Sequence, residues 1–180
     1  MTSKWKPNVT VAAVIERDNQ FLMIEELTSD GIRLNQPAGH LEPSETLQAG
    51  CMREALEESA WQVEVQSLLG MYMSRYFSER TQEEVTYLRF AFICKALVDT
   101  RQSLDEGIIR AIWMSPGEIR SCIVKHRSPL VMQCIDDYLR LKQAGHPGYP
   151  LDMLFHHETA LGGVLDSTTG NTLNSDSKPI

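Results

Sequence analysis

The chain has 180 residues, a length typical of one packed domain, and its formal net charge is −7. This negative charge argues against non-specific binding to nucleic acid or to an anionic membrane surface. The four cysteines form no C-x-x-C pair, and no apolar run has the pattern of a secretory leader or a membrane span. We therefore expect reduced cysteines and a cytoplasmic protein.

The first third of the chain predicts strands followed by a helix. Two apolar runs, 8–16 and 21–25, flank a turn and are typical of a hairpin in a mixed sheet. Residues 34–39 predict a further strand that leads into a loop. Residues 46–59 are mostly helix formers, with apolar positions for a buried face.

The second part of the chain alternates strands and helices. Apolar runs predict strands over 62–73, 85–98 and 108–114. A short helix is predicted to open at Ser115-Pro116, and residues 129–144 show the apolar spacing of a long helix. Short strands mixed with two long helices indicate the α/β class.

The carboxylates of the first long helix are placed unusually. Glu54, Glu57 and Glu58 have the spacing i, i+3, i+4 and therefore share one face. They lie in the C-terminal half, where the helix dipole disfavours negative charge. Arg53 is a single cation beside three carboxylates. The alternatives are a solvated acidic face and a site for a divalent metal such as Mg²⁺, which prefers oxygen ligands.

These glutamates belong to a longer pattern. The spacing G-x5-E-x7-R-E-x2-E-E resembles the Nudix box, and Ala60 stands where that family has a glycine that ends the helix. The resemblance implies an α/β/α sandwich, with a mixed β-sheet between helices, over residues 1–155. Residues 156–180 are predicted to be a disordered polar tail. The residues that match the box are Gly39, Glu45, Arg53, Glu54, Glu57 and Glu58.

The resemblance also implies an enzyme that hydrolyses phosphoanhydride bonds. This reaction needs positive charge on the phosphate oxygens, an aligned water and an acceptor for its proton. The implied cofactor is Mg²⁺, with Mn²⁺ as a substitute, and the implied ligands are Glu54, Glu57, Glu58 and the carbonyl of Gly39. The residues expected to take part in catalysis, as ligands, orienting groups or base, are Glu57, Glu54, Arg53, Glu45 and Glu106.

The expected substrate is a small phosphorylated molecule. The run 35–42 is similar to a bacterial phosphatase branch of the family, which implies a thiamine-precursor pyrophosphate, thiamine pyrophosphate or nucleoside di- and triphosphates. Arg89 interrupts an apolar strand, where an unpaired charge would be costly, so it either meets a carboxylate or points toward phosphate. The expected substrate-binding residues are Arg89, Asn35, Gln36 and Arg33.

Two other functions stay open at this point. One is a non-catalytic nucleotide-binding module on the same fold, although such modules typically lose box glutamates and this chain keeps them. The other is a related hydrolase for dinucleoside polyphosphates or RNA 5′ ends, although the acidic balance counts against RNA. By resemblance we expect a monomer, with no membrane and no stable nucleic-acid partner.

Overall fold

A mixed seven-stranded sheet forms the centre of the molecule. The computed structural model describes residues 5–79 and 81–162. The main strand order is β3-β2-β1-β6-β5, β4 pairs with β1, and β7 pairs with β2. β1 and β6 are parallel, and the other pairs are antiparallel. The strands are β1 (Asn8–Arg17), β2 (Gln20–Thr28), β3 (Gly31–Asn35), β4 (Ala38–His40), β5 (Trp61–Ser78), β6 (Glu83–Asp99) and β7 (Ile108–Met114).

Helices cover both faces of this sheet. The helices are α1 (Leu47–Ser59), α2 (Pro116–Ser121) and α3 (Leu130–Gln143). Cys51 and Ala55 of α1 belong to one core cluster with the β6 residue Phe92. Residues Val131 and Ile135 of α3 belong to the other cluster. The two clusters confirm the predicted α/β/α sandwich.

The region 34–39 differs from the prediction of one strand. The chain pairs with β2 up to Asn35 and with β1 from Ala38 onward, so two short strands replace the single one. Pro37 lies between them and has no N–H to donate to a strand ladder. Its carbonyl instead accepts a hydrogen bond from Ala13 N at 2.9 Å. This break delivers the loop that begins at Gly39 to the start of α1.

Both ends of α1 are held by local contacts. Thr46 caps the first turn, because its side-chain oxygen accepts from Ala49 N at 3.0 Å. Ala60 ends the helix in the left-handed conformation, at φ 60° and ψ 12°. The family's helix-ending glycine is thus replaced by an alanine that adopts the glycine conformation.

The C-terminal part of the chain, as far as residue 162, returns to the start of α1. Short 3-10 helices span Leu151–Met153 and Glu158–Leu161. Between them, His156 Nε2 accepts a hydrogen bond from Leu47 N at 3.2 Å. Of the predicted polar tail 156–180, residues 163–180 lie outside the described residues. No helix within 5–79 and 81–162 is long and apolar enough to cross a membrane.

Candidate functional site

The loop after β4 and the helix α1 meet at Gly39. In the sheet Gly39 is the partner of Val11 on β1, and it faces the Glu54 side chain of α1. A Cβ atom at position 39 would overlap the Glu54 carboxylate. Only glycine therefore lets the loop backbone and this carboxylate lie in contact.

Arg53 joins three of the box glutamates and the loop. Its Nη1 donates to Glu54 Oε1 at 2.8 Å and to Glu57 Oε2 at 2.9 Å. Nε and Nη2 donate to the two oxygens of Glu45 at 3.1 and 2.8 Å, and Nη2 also donates to the His40 carbonyl at 3.0 Å. These bonds hold the pKa of Glu45 below its usual range and raise the pKa of Arg53. The guanidinium thus fixes the positions of the carboxylates.

Glu58 has no such cation. Its Oε2 accepts a hydrogen bond from Ala38 N at 2.7 Å. Burial is the main cause that raises its pKa to about 8, and the negative charges of Glu54, Glu26 and Asp105 raise it further. Burial also raises the pKa of Glu54, against the opposing effect of Arg53. Glu58 therefore lacks a paired cation, and Arg53 does not fully offset the burial of Glu54.

A divalent cation fits this arrangement. It would supply the positive charge that Glu58 lacks and would add to that of Arg53 at Glu54, whose carboxylate lies against the loop at Gly39. In the described part of the chain, no three His, Cys, Asp or Glu residues already stand as a complete ligand group. Arg53 holds Glu54 and Glu57 in the geometry seen here, so ligation would rearrange these contacts.

A loop acid also approaches the helix. Asp105 N donates to the Glu57 carbonyl at 3.0 Å, which attaches this loop to the C-terminal turn of α1. The charge of Asp105 contributes to the raised pKa of Glu54 and of Glu58. Glu106, the acid predicted from sequence, is the next residue, and both side chains are exposed. Within the loop, Asp105 thus has the electrostatic contact with the box.

A cavity of about 560 Å³ opens beside the box residues. Gly39, Ala38 and Glu58 line it at the metal end, and it continues over the sheet face formed by β1, β6 and β5. The side chains of Tyr76 and Tyr87 stack at its rim, with ring centroids 6.0 Å apart and planes at 11°. The arginines that line the cavity are Arg33, Arg75, Arg89 and Arg127.

Arg89 is the buried cation of this cavity. It is 7 % exposed, and its Nε and Nη1 atoms find no hydrogen-bond partner among the described residues. Burial lowers its pKa, and contacts with the Cys134 thiol and the charges of Glu26 and Glu58 offset this in part. An unsatisfied buried guanidinium is costly, so an anionic or acceptor group in the cavity would stabilise it.

The other predicted substrate residues divide into two groups. Asn35 and Arg33 line the cavity. Gln36 does not line it: the side chain is 1 % exposed and its Nε2 donates to the Val131 carbonyl at 2.7 Å. In this structure Gln36 ties the loop to α3, and its contact with substrate stays a prediction.

Thr10, Tyr87 and His126 are among the lining residues that were not predicted from the sequence. Tyr87 lies two residues before Arg89 on β6, so alternation along the strand would have placed both on one face. Thr10 is the strand partner of both His40 and Arg89, and His126 enters through a bridge to Leu34. No pattern in the local sequence predicts the pairings of Thr10 or the bridge of His126.

Comparison with known proteins gives a consistent result. The NUDIX domain model matches residues 5–134. Phosphatase NudJ of Escherichia coli (strain K12) is 34% identical over 151 residues, which cover 83% of this chain and 92% of that protein. A NUDIX hydrolase from Nitrosomonas europaea is 46% identical, with a TM-score of 0.74 over 85% of this chain and 99% of that one. A UDP-X diphosphatase, 18% identical with a TM-score of 0.62 over 82% of this chain and 69% of that one, shares the fold.

Proposed function

Because the chain belongs to the Nudix family and is a hydrolase of phosphoanhydrides, we propose that it cleaves small organic di- and triphosphates with Mg²⁺. The observation that supports this proposal most directly is the contact between Gly39 and the Glu54 carboxylate, beside a Glu58 that lacks a cation. The cavity that begins at these residues has room for a phosphorylated small molecule.

Glu54, Glu57, Glu58 and the Gly39 carbonyl are the proposed metal ligands. The bound cation supplies the positive charge that a phosphoanhydride needs before water can attack it. Mn²⁺ fulfils the same oxygen-ligand requirement. Arg53 and Glu45 orient these ligands through the hydrogen bonds described above.

The proton of the attacking water requires a carboxylate within reach. We propose that a box glutamate or the acid of the 105–106 loop accepts it, with Asp105 closer in its contacts than the predicted Glu106. That base must be ionised near neutral pH and lie within hydrogen-bond reach of the water.

Substrate binding is proposed for the cavity arginines. Arg89 offers two nitrogen atoms without a hydrogen-bond partner, Nε and Nη1, to a phosphate oxygen. Arg33 contributes one weak bond, to the Val124 carbonyl at 3.4 Å, and leaves further donors for substrate. The similarity to Phosphatase NudJ, together with the run 35–42, supports thiamine-precursor pyrophosphate, thiamine pyrophosphate and nucleoside di- and triphosphates as the first substrates to examine.

The proposal is tested by product release with and without Mg²⁺ across those compounds. The variants Glu57→Gln and Glu58→Gln keep the shape of the side chain and remove its charge, so we expect folded proteins whose kcat falls by a hundredfold or more. Glu64→Gln, on the exposed face of β5, is the matched control and should retain wild-type turnover. Unchanged turnover in both box variants would sink the assignment, and binding without any turnover would favour a nucleotide-binding module.

A further inference from the structure

Backbone contacts join two distant segments of the chain at one wall of the cavity. Leu34 and His126 form a parallel bridge, and Arg127 N donates to the Leu34 carbonyl at 2.9 Å. The bridge thus joins His126 to the residue before Asn35, although 91 positions separate Asn35 and His126 in the chain. Both side chains line the cavity.

The Ile119 carbonyl determines which ring nitrogen of His126 carries the hydrogen. His126 Nε2 lies 2.9 Å from the Ile119 carbonyl, which can only accept a hydrogen bond, so Nε2 carries the hydrogen. In the neutral imidazole the other nitrogen, Nδ1, is then an acceptor. That Nδ1 atom is buried and has no partner among the described residues.

The amide of Asn35 is oriented by a carboxylate. Its Nδ2 faces Glu26 Oε1 at 3.5 Å, and a carboxylate accepts rather than donates, so the amide nitrogen belongs on that side. The amide oxygen, Oδ1, is left buried and without a partner among the residues described here. The wall thus presents two unsatisfied acceptors, which need N–H donors.

The rest of the cavity suggests what carries those donors. The Tyr76–Tyr87 stack and the His40 ring, whose centroid lies 5.9 Å from that of Tyr87, form an aromatic rim. Aromatic rings favour contact with another flat ring. Arg89, with unpaired donors of its own, satisfies acceptor or phosphate oxygens.

We propose that His126 Nδ1 and Asn35 Oδ1 recognise the exocyclic amino group of a heteroaromatic ring, so that the enzyme prefers amino-substituted bases over their oxo counterparts. The proposal rests on the proposed function, because it names the ring end of the same substrate. An oxo group at that place would set an acceptor against two acceptors. An oxo analogue would leave both buried acceptors unpaired, so the site discriminates against it.

The test compares substrates that differ only in this group. The pairs are thiamine diphosphate and its 4-oxo analogue, CTP and UTP, and ATP and ITP, each measured as kcat/KM with Mg²⁺. Two mismatched hydrogen bonds predict a preference of at least about tenfold for the amino member. His126→Phe keeps a ring but removes Nδ1, so the preference should fall below about threefold.

Two other variants support the reading of that result. Asn35→Leu has a similar volume and removes the second acceptor, and it carries the test alone if His126→Phe does not fold. His157→Phe is the matched control, because His157 is exposed and does not line the cavity; it should keep the full preference. A thermal melt of each variant separates loss of folding from loss of recognition.

The outcomes separate this inference from the proposed function. Turnover with less than a threefold preference in every pair overturns the recognition of an amino group and leaves the phosphoanhydride hydrolase intact. A preference that both variants retain overturns the assignment to His126 and Asn35. No Mg²⁺-dependent turnover in any pair overturns the proposed substrate class, and the inference fails with it.

Discussion

The Glu54 carboxylate occupies the space that a side chain on Gly39 would fill. Gly39 has no left-handed backbone conformation, so an alanine there would meet no strain other than this overlap. We expect Gly39→Ala to displace the Glu54 carboxylate and to lower kcat by about a hundredfold, the effect of misplacing a catalytic group by about 1 Å. Steady-state kinetics with saturating Mg²⁺ provide the measurement.

Gly117→Ala is the control for this substitution. Gly117 also lacks a positive φ, and the nearest atom to an added Cβ is Ser115 Oγ at 3.9 Å, an ordinary contact. It should keep wild-type activity and hold or raise stability, because alanine favours the helix more than glycine does. Full activity of Gly39→Ala would show that the contact with Glu54 is not needed for the reaction.

The raised pKa of Glu58 predicts how stability depends on pH when metal is absent. Folding raises it to about 8, from an ordinary value near 4.5, so between these pH values the folded chain holds a proton that the unfolded chain has released. Stability should therefore fall as pH rises from about 5 to 8, by up to about 4 kcal/mol. Urea unfolding with a chelator present measures this, and Glu58→Gln should flatten the slope.

Added Mg²⁺ should act in the opposite direction. A cation binds the ionised carboxylates and competes with the proton, so the rise in Tm on adding Mg²⁺ should be larger at pH 8 than at pH 6. Glu64→Gln, which leaves the box intact, should behave as wild type in both experiments. An equal pH slope in Glu58→Gln would show that other groups determine the dependence.

The box could be predicted from sequence because its contacts are local. Glu54 and Glu57 share a helix with Arg53, and the spacing to Gly39 identifies the loop, so the pattern alone indicates which groups meet. The cavity wall could not be predicted in this way. His126 joins this wall through its bridge to Leu34, between distant segments, and the amide nitrogen of Gln36 donates to the Val131 carbonyl of α3. No local pattern reveals either contact.

Paired variants distinguish the catalytic roles of Asp105 and Glu106. Both side chains are exposed, and the charge of Asp105 contributes to the raised pKa of Glu54 and of Glu58. We expect Asp105→Asn to lower kcat at least tenfold. Loss of its negative charge should also lower the pKa of both carboxyls, so the acid limb of the pH–rate profile should move to lower pH.

Glu106→Gln serves as the comparison at the neighbouring position. An exposed loop charge without contact to the box should change kcat by less than about twofold. If Glu106→Gln abolishes turnover while Asp105→Asn does not, the prediction from sequence is correct and Glu106 is the base.

The left-handed Ala60 at the end of α1 predicts an effect on stability. An L-residue in this conformation costs about 1–2 kcal/mol, which glycine avoids. Ala60→Gly should therefore hold or raise the free energy of unfolding, although glycine loses more chain entropy on folding and removes a buried methyl group. Ala49→Gly makes the same chemical change inside α1, where it should lower stability by about 1 kcal/mol. Chemical denaturation of the two variants measures the difference, and an equal loss in both would show that the conformation of Ala60 carries no strain.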